Sequence, residues 1–346
     1  MISSINSRRI VRRGTWLILC FWPFCVPAAA EPERSFVLYE LWVPNATCTY
    51  ARGVSATGEV AGEAIMPNNS VVGFRWRRPG SLALLPTSEP GTDALVCAMS
   101  PDGMIAGAVR APNKTTAVLW FPGHSAPTAL PDLGANAGAR NFGATNRWGS
   151  LIVGYAMPQD PPHVDTRHAV AWHGLELIDY GAFGQCAACF TDLNERGLFV
   201  GWASPGGVRN ARAFVFDGEQ FSFIALPLSV AYAVNDHGVV VGQHLGNEGP
   251  LAFRWTVAGL GYLADFGEGA AALDVAEFGI IVGSAQRDDQ WRAVLWLDRF
   301  TIIDLAELTG APLTEASAIC AGFICGRMSN DHSFLLVLLD EPRPVD

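Results

Sequence analysis

One recurring phrase constrains the fold of this 346-residue chain more than any other feature. Asn235 to Gly242 reads NDHGVVVG, a turn followed by a short β-branched run between two glycines. Seven copies occur, with first glycines at Gly58, Gly103, Gly149, Gly197, Gly238, Gly279 and Gly322. Their spacings of 45, 46, 48, 41, 41 and 43 residues fall in the range of four-stranded propeller blades. The second glycines are Gly62, Gly107, Gly154, Gly201, Gly242, Gly283 and Gly326. Ser55, Ser100, Asn146, Asn194 and Asn235 stand three residues before the first glycine, where a type I turn prefers them. Runs such as Val239–Val241 and Ile280–Val282 lack polar alternation, so they predict short strands buried on both faces.

Two more phrases complete each period. An aromatic-ended strand follows, closing on Trp76, Trp120, Trp172, Phe216, Trp255 and Trp296, with Ser333–Leu338 as the last copy. A leucine-rich strand comes next, at 82–86, 130–134, 177–181, 223–227, 262–267 and 302–305. Its seventh copy is missing after Leu339 and stands instead at Leu38–Trp42, ahead of the first hairpin. The pattern therefore predicts an all-β chain, a seven-bladed β-propeller closed by an N-terminal strand that completes the last blade and removes the open edge. Seven such periods leave no room for a second domain: residues 31–340 form the propeller and 341–346 a short tail.

The first thirty residues read differently. Arg8, Arg9, Arg12 and Arg13 precede the apolar run Trp16–Val26 and then Pro27-Ala28-Ala29-Ala30, the order of a secretory signal with cleavage after Ala30. The run is far shorter than the roughly 20 residues of a spanning helix, so no membrane span is expected after cleavage. Removing these residues takes the formal charge from −10 to −14, a surface that repels phosphate backbones and excludes nucleic acid as a partner. The only lysine is Lys114, which leaves little for Schiff-base chemistry. An exported monomer is the expectation.

In these phrases the chain resembles the HAF-repeat proteins, bacterial secreted proteins named for a His-Ala-Phe triplet. The triplet position reads His168-Ala169-Val170, Arg212-Ala213-Phe214, Leu251-Ala252-Phe253, Arg292-Ala293-Val294 and Thr116-Ala117-Val118. The resemblance covers roughly residues 36–339 and implies an extracytoplasmic, propeller-like repeat protein. It carries over no catalytic residue.

The chemistry-bearing residues are few. The insertion in the third repeat, Ala156–His168, gathers His163, Asp165, His168 and, just beyond it, His173, as a solvated loop or as ligand-binding candidates. Asp236 and His237 are read as turn residues. Glu40, Asp132, Asp179, Asp265 and Asp304 recur at one place in the leucine-rich strands, where charge protects an edge and caps a turn. Six cysteines remain after the leader, and in an oxidising compartment they read as disulfides: Cys186 with Cys189, by proximity Cys320 with Cys325, and Cys48 with Cys97 as the two left over. No nucleophile elbow, zinc-binding, phosphate-loop or calcium-loop motif occurs, and no cofactor or metal is expected.

Two functions fit a secreted propeller: a binding module presenting loops to a glycan, peptide or surface ligand, or an enzyme of glycosidase or lyase type acting on extracellular polymer. Propeller active sites are assembled from several blades and leave no linear motif. The enzyme requires at least two acids, or an acid with His or Tyr, at one mouth of the channel.

Overall fold

The glycine pairs fold as hairpins. The Gly58, Gly103, Gly197 and Gly238 amides donate to the carbonyls of Ser55, Ser100, Asn194 and Asn235, and Gly279 does the same to Ala276. The described first glycines have φ between 73° and 88°, the left-handed region that closes a type I turn. The polar residue at the start of each turn does what its chemistry suits: Ser55 Oγ accepts from the Glu59 amide at 3.0 Å, and Asn235 Oδ1 from the His237 and Val239 amides at 3.1 and 3.0 Å.

The computed structural model describes residues 8–13, 35–78, 80–134, 139–145, 151–158, 166–205, 210–247 and 249–339. Gly149, His163 and Asp165 lie outside them. The described strands form seven antiparallel sheets. Blade 5 shows the plan: Ser229–Val234 innermost, then Val240–Gly246, Gly249–Thr256 and Gly259–Tyr262. Blade 6 repeats it with Ala270–Val275, Ile281–Arg287, Gln290–Trp296 and Ile302–Asp304. In the last blade Ser35–Leu41 pairs antiparallel with Ser333–Leu338, Leu38 opposite Leu336, which is the expected circular closure. Residues Arg8–Arg13 lie along the outer edge of that closing strand, making this sheet alone five-stranded.

The core lies between blades. Val240 packs toward blade 4 with Ala213 and Phe253, while Val239 and Val241 pack toward blade 6 with Trp296 and Val294. A strand buried on both faces needs no polar alternation, which accounts for the apolar runs. The tryptophans that end the third strands are locked to the preceding blade: Trp120 Nε1 donates to Pro86 O at 2.7 Å, Trp172 to Pro131 O at 2.8 Å and Trp296 to Ala264 O at 2.7 Å. At the seam between last and first blades Trp76 packs on Tyr39, and its buried Nε1 has no such partner.

Two details differ from the sequence reading. In blades 2 and 5 the outer strand is Thr128–Ala129 and Gly259–Tyr262, just before the leucine phrase. There Leu130 and Leu263 turn inward and are buried, because their side chains are worth more against the blade than on the rim. The expected disulfides are not formed: none joins any of the six cysteines. Cys186 is exposed and Cys189 buried, and three residues of extended chain span about 10 Å, beyond a bridge's reach of about 7 Å. Cys325 faces Ala318 across its hairpin, which leaves Cys320 on the diagonal, and Cys48 begins the inner strand of blade 1 whereas Cys97 lies at the bulge within the inner strand of blade 2.

Candidate functional site

The innermost strands wall a central channel, and each contains a register slip at the same height. The slips fall between Ala51 and Gly53, Val96 and Ala98, Asn141 and Thr145, Phe190 and Asp192, Ala231 and Ala233, Ala272 and Asp274, and Ala316 and Ala318. A bulge leaves one residue out of the ladder. Arg52, Cys97, Thr191, Tyr232, Leu273 and Ser317 are those residues, and all six line a channel cavity of about 260 Å³. The second glycine of each pair answers the bulge. A β-carbon at Gly62, Gly107, Gly201, Gly242, Gly283 or Gly326 would collide with the inner-strand carbonyl of Tyr50, Leu95, Cys189, Val230, Ala271 or Glu315. Sequence reasoning found the glycines but not the ring they make room for; the signal was the small residues that flank the bulge in Ala51-Arg52-Gly53, Ala231-Tyr232-Ala233 and Ala316-Ser317-Ala318.

Inside the channel the polar groups are paired. Arg52 Nη2 and Nε donate to Glu63 Oε1 at 2.9 and 3.3 Å. Burial works against the Arg52 cation, but Glu63 and Glu315 outweigh it and raise its pKa. Ser317 Oγ donates to Glu315 at 2.9 Å, and Tyr232 donates to Gln243 at 3.2 Å, with burial and then Glu315 pushing the Tyr232 phenol upward.

Toward the mouth formed by the hairpin turns, carboxylates clip one blade to the next. Asp192 accepts from the Leu193 amide at 2.8 Å and, across the blade boundary, from the Val234 amide at 2.7 Å. Asp274 accepts from the Val275 amide at 2.8 Å and from Ile319 of blade 7 at 2.7 Å. Burial raises both; the backbone bonds offset part of this, and Asp274 settles at about 6 while Asp192 is pushed well above the usual range with Asp274's charge adding to the rise. The turns above them are laddered in the same direction: Asn194 Nδ2 donates to Asn235 O at 2.9 Å and Asn235 Nδ2 to Ala276 O at 3.0 Å.

The next turn residue is acidic in three successive blades. The Glu195 amide donates to Asp236 at 2.8 Å, and the Asp236 amide to Glu277 at 3.0 Å. Burial, together with Asp236 and Glu195, raises the Glu277 pKa, against the lowering by the Asp236 amide bond and His237. These acids edge a cavity of about 430 Å³ whose other walls include Pro101, Ile280 and Ile319. Asp236 and His237 thus occupy the turn, as their spacing suggests, but Asp236 also belongs to the acidic rim.

The histidine group of the third repeat is not drawn together among the described residues. His168 and His173 begin and end one strand, about 16 Å of extended chain apart, with His168 Nδ1 on Asp179 at 2.9 Å and His173 exposed. The recurring outer acids pair and cap: Lys114 bridges Asp132 at 2.8 Å and His332 bridges Glu40 at 2.6 Å, while Asp132, Asp179 and Asp265 accept the amides of Gly134, Gly181 and Gly267. Asp304 caps the short helix Leu305–Thr309 through the Ala306 and Glu307 amides. No group of three or more His, Cys, Asp or Glu among the described residues is placed to hold a metal ion. No helix among them is long and apolar enough to cross a membrane.

No protein-family model matches the chain, and no curated protein matches it in sequence. Solved structures match its fold. Virginiamycin B lyase from Staphylococcus aureus superposes with a TM-score of 0.58 at 13% identity, covering 88% of this chain and 100% of that one. The β-propeller domain of the trilobed protease from Pyrococcus furiosus, described as having an open velcro topology, gives 0.55 at 13% identity over 80% of this chain and 88% of its own. Acylaminoacyl peptidase from Pyrococcus horikoshii gives 0.51 at 13% identity over 80% of this chain and 48% of its own. At such identities the likeness is one of fold, and the fold is a seven-bladed β-propeller, here with its ring closed by the strand Ser35–Leu41.

Proposed function

We propose that this chain is an exported ligand-binding propeller of the HAF-repeat kind, and that its hairpin face takes a peptide bearing a basic side chain beside an apolar one. The convergence of Glu195, Asp236 and Glu277 on one side of an apolar-walled cavity carries the reading. Three carboxylates at one rim attract a cation and repel anionic polymers, and Ile280, Ile319 and Pro101 offer the apolar flank. Neutral or anionic glycans use none of that charge.

The enzyme reading has one observation in its favour. Asp192, Asp274 and Tyr232 do meet at the channel, and the two acids hold protons more tightly than ordinary carboxylates. Both aspartates, however, are engaged by backbone amides of their own and the following blade, so their geometry serves blade registration before proton transfer.

Calorimetry with the peptide acetyl-Ala-Lys-Leu-amide tests the proposal. Binding should weaken at least tenfold in the Asp236→Asn, Glu277→Gln double variant, in which the side-chain oxygens still accept their amide bonds. Equal binding by wild type and variant, or binding of neutral polysaccharide alone, overturns it. Turnover of a polysaccharide that is lost in Asp274→Asn would establish the enzyme instead.

A further inference from the structure

A second cavity, of about 600 Å³, opens on the same face between blades 5 and 6. Its floor is apolar, with Val239, Ile281 and Leu297 all buried, and its rim carries Phe278 and Phe300, which are 62% and 81% exposed. Two arginines line it. Arg254 lies on the third strand of blade 5, directly opposite Gly261 on the outer strand. Arg299 reaches across from the last turn of blade 6 and fills the space a side chain at 261 would take: a β-carbon there would lie 2.7 Å from Arg299 Cζ. Residues opposite one another in a sheet share a face, so the two guanidinium groups come to the same face of blade 5.

The repeat supplies an internal comparison. Arg75 holds in blade 1 the place that Arg254 holds in blade 5, since each precedes the terminal tryptophan of its third strand. Arg75 is neutralised: it bridges Glu59 at 3.4 Å and donates to the Gly103 carbonyl of the next blade at 2.7 Å. In blade 5 the residue corresponding to Glu59 is Val239, and the carbonyl corresponding to Gly103, that of Gly279, is not engaged by Arg254. Among the described residues neither the Arg254 nor the Arg299 side chain makes a hydrogen bond or ion pair, and the Arg299 guanidinium only leans on the Phe300 ring at 5.3 Å. The two acids that also line the cavity are committed elsewhere. Asp298 accepts from the Phe300 and Thr301 amides and the Thr301 hydroxyl, and Glu277 accepts from the Asp236 amide and faces His237 at 3.9 Å.

Two guanidinium groups thus lie on one face of blade 5 with no ion pair to a protein carboxylate, which leaves their donors available to an anionic ligand. We infer that the cleft between blades 5 and 6 is a carboxylate-binding subsite, in which Arg254 and Arg299 take the free C-terminal carboxylate of a peptide and Phe278, Phe300 and the apolar floor take its last side chain. Planar guanidinium groups match carboxylate oxygens in number and geometry, and an apolar floor beside them selects an apolar terminal residue. The inference rests on the peptide reading above for the identity of the ligand, and places the two subsites side by side with Glu277 and Phe278 between them.

The test uses the full chain and two probes, acetyl-phenylalanine and its amide, followed by calorimetry in low salt. The acid should bind at least tenfold more tightly than the amide, and Arg254→Gln and Arg299→Gln should each weaken it at least fivefold without changing the thermal midpoint. Val239→Glu recreates the neighbour that Arg75 has in blade 1 and should abolish binding by supplying an internal partner. Binding of acetyl-Ala-Lys-Leu-amide, measured in parallel, should be unchanged in both arginine variants; its failure alone would remove the cationic subsite and leave this one standing. Equal affinity for acid and amide, no loss in the arginine variants, or stronger binding of a galacturonic acid oligomer than of acetyl-phenylalanine would overturn the inference.

Discussion

The Asp274 carboxylate accepts the Ile319 amide hydrogen at 2.7 Å, so a single side chain in blade 6 fixes the inner strand of blade 7. Its pKa of about 6 is raised by burial, which means the folded protein binds this proton more tightly than the unfolded chain does. The consequence for stability has a definite sign. Folding gains as pH falls from above 6 toward the unfolded value near 4, and loses as pH rises through 6, by on the order of 1–3 kcal/mol at pH 7. Asp192, shifted in the same direction, adds to the trend. Thermal midpoints of the wild type should therefore be higher at pH 5 than at pH 8, and the Asp192→Asn, Asp274→Asn double variant should flatten the difference. A midpoint that rises between pH 5 and pH 8 in the wild type would refute the assignment.

Gly242 is the clearest test of the pairing between bulge and glycine. A β-carbon there would meet both the Val230 carbonyl and the Phe253 ring, which are held by the strands of blade 5 on either side. Gly242→Ala should cost about 1–3 kcal/mol or more, as overpacking does. Gly238→Ala, where nothing stands within 4 Å but φ is 73°, should cost only about 1–2 kcal/mol through backbone strain. Chemical denaturation of the two variants checks the order; a smaller loss at 242 than at 238 would show that the bulge relaxes.

The closing strand makes a prediction of its own. Leu38 is fully buried among residues of blades 6 and 7, and Leu41 packs with blade 1. Ser333 adds a seam bond in each direction, accepting from the Ala51 amide at 2.8 Å and donating to Thr49 O at 2.9 Å. Leu38→Ala should cost about 2–5 kcal/mol. Deleting residues 31–43 should abolish the cooperative thermal transition, whereas a chain lacking only residues 1–30 should keep it. Survival of the transition in the longer deletion would mean that the ring does not need its join.

The part of this architecture that packing dictates was legible in the chain, and the part that faces the channel was not. Gly238 and Val239–Val241 announce a turn and a doubly buried strand because each position tolerates few residue types. The bulge residues Arg52, Cys97, Thr191, Tyr232, Leu273 and Ser317 share no chemistry, since a side chain turned into a channel is not held to one residue type by packing between blades. Of the acidic rim only Asp236 was read, as a turn residue, because Glu195, Asp236 and Glu277 acquire a common role from blade order rather than from local sequence. His163, Asp165, His168 and His173 suggested a site by closeness in sequence, yet His168 and His173 end up at opposite ends of a strand with His168 tied to an outer-strand acid. Closeness in sequence misled in the same way for Cys186 and Cys189, which a strand sends to different environments.

That separation of the cysteines gives the last prediction. Cys186 is exposed, with its thiol 3.3 Å from the Pro205 carbonyl, while Cys325 is fully buried between the last blade and the first, and burial raises its pKa far above the ordinary thiol value. A thiol reacts through its thiolate, so exposure and pKa act together here. A disulfide reagent added to the native protein at pH 8 should modify Cys186 within minutes and leave Cys325 untouched until denaturant is added, as peptide mass mapping would read directly. A Cys186–Cys189 bridge would require the extended chain at 186–189 to fold back on itself. Recovery of that bridged peptide from folded protein would therefore show that the edge of blade 4 departs from the strand that Ala187–Leu193 forms here.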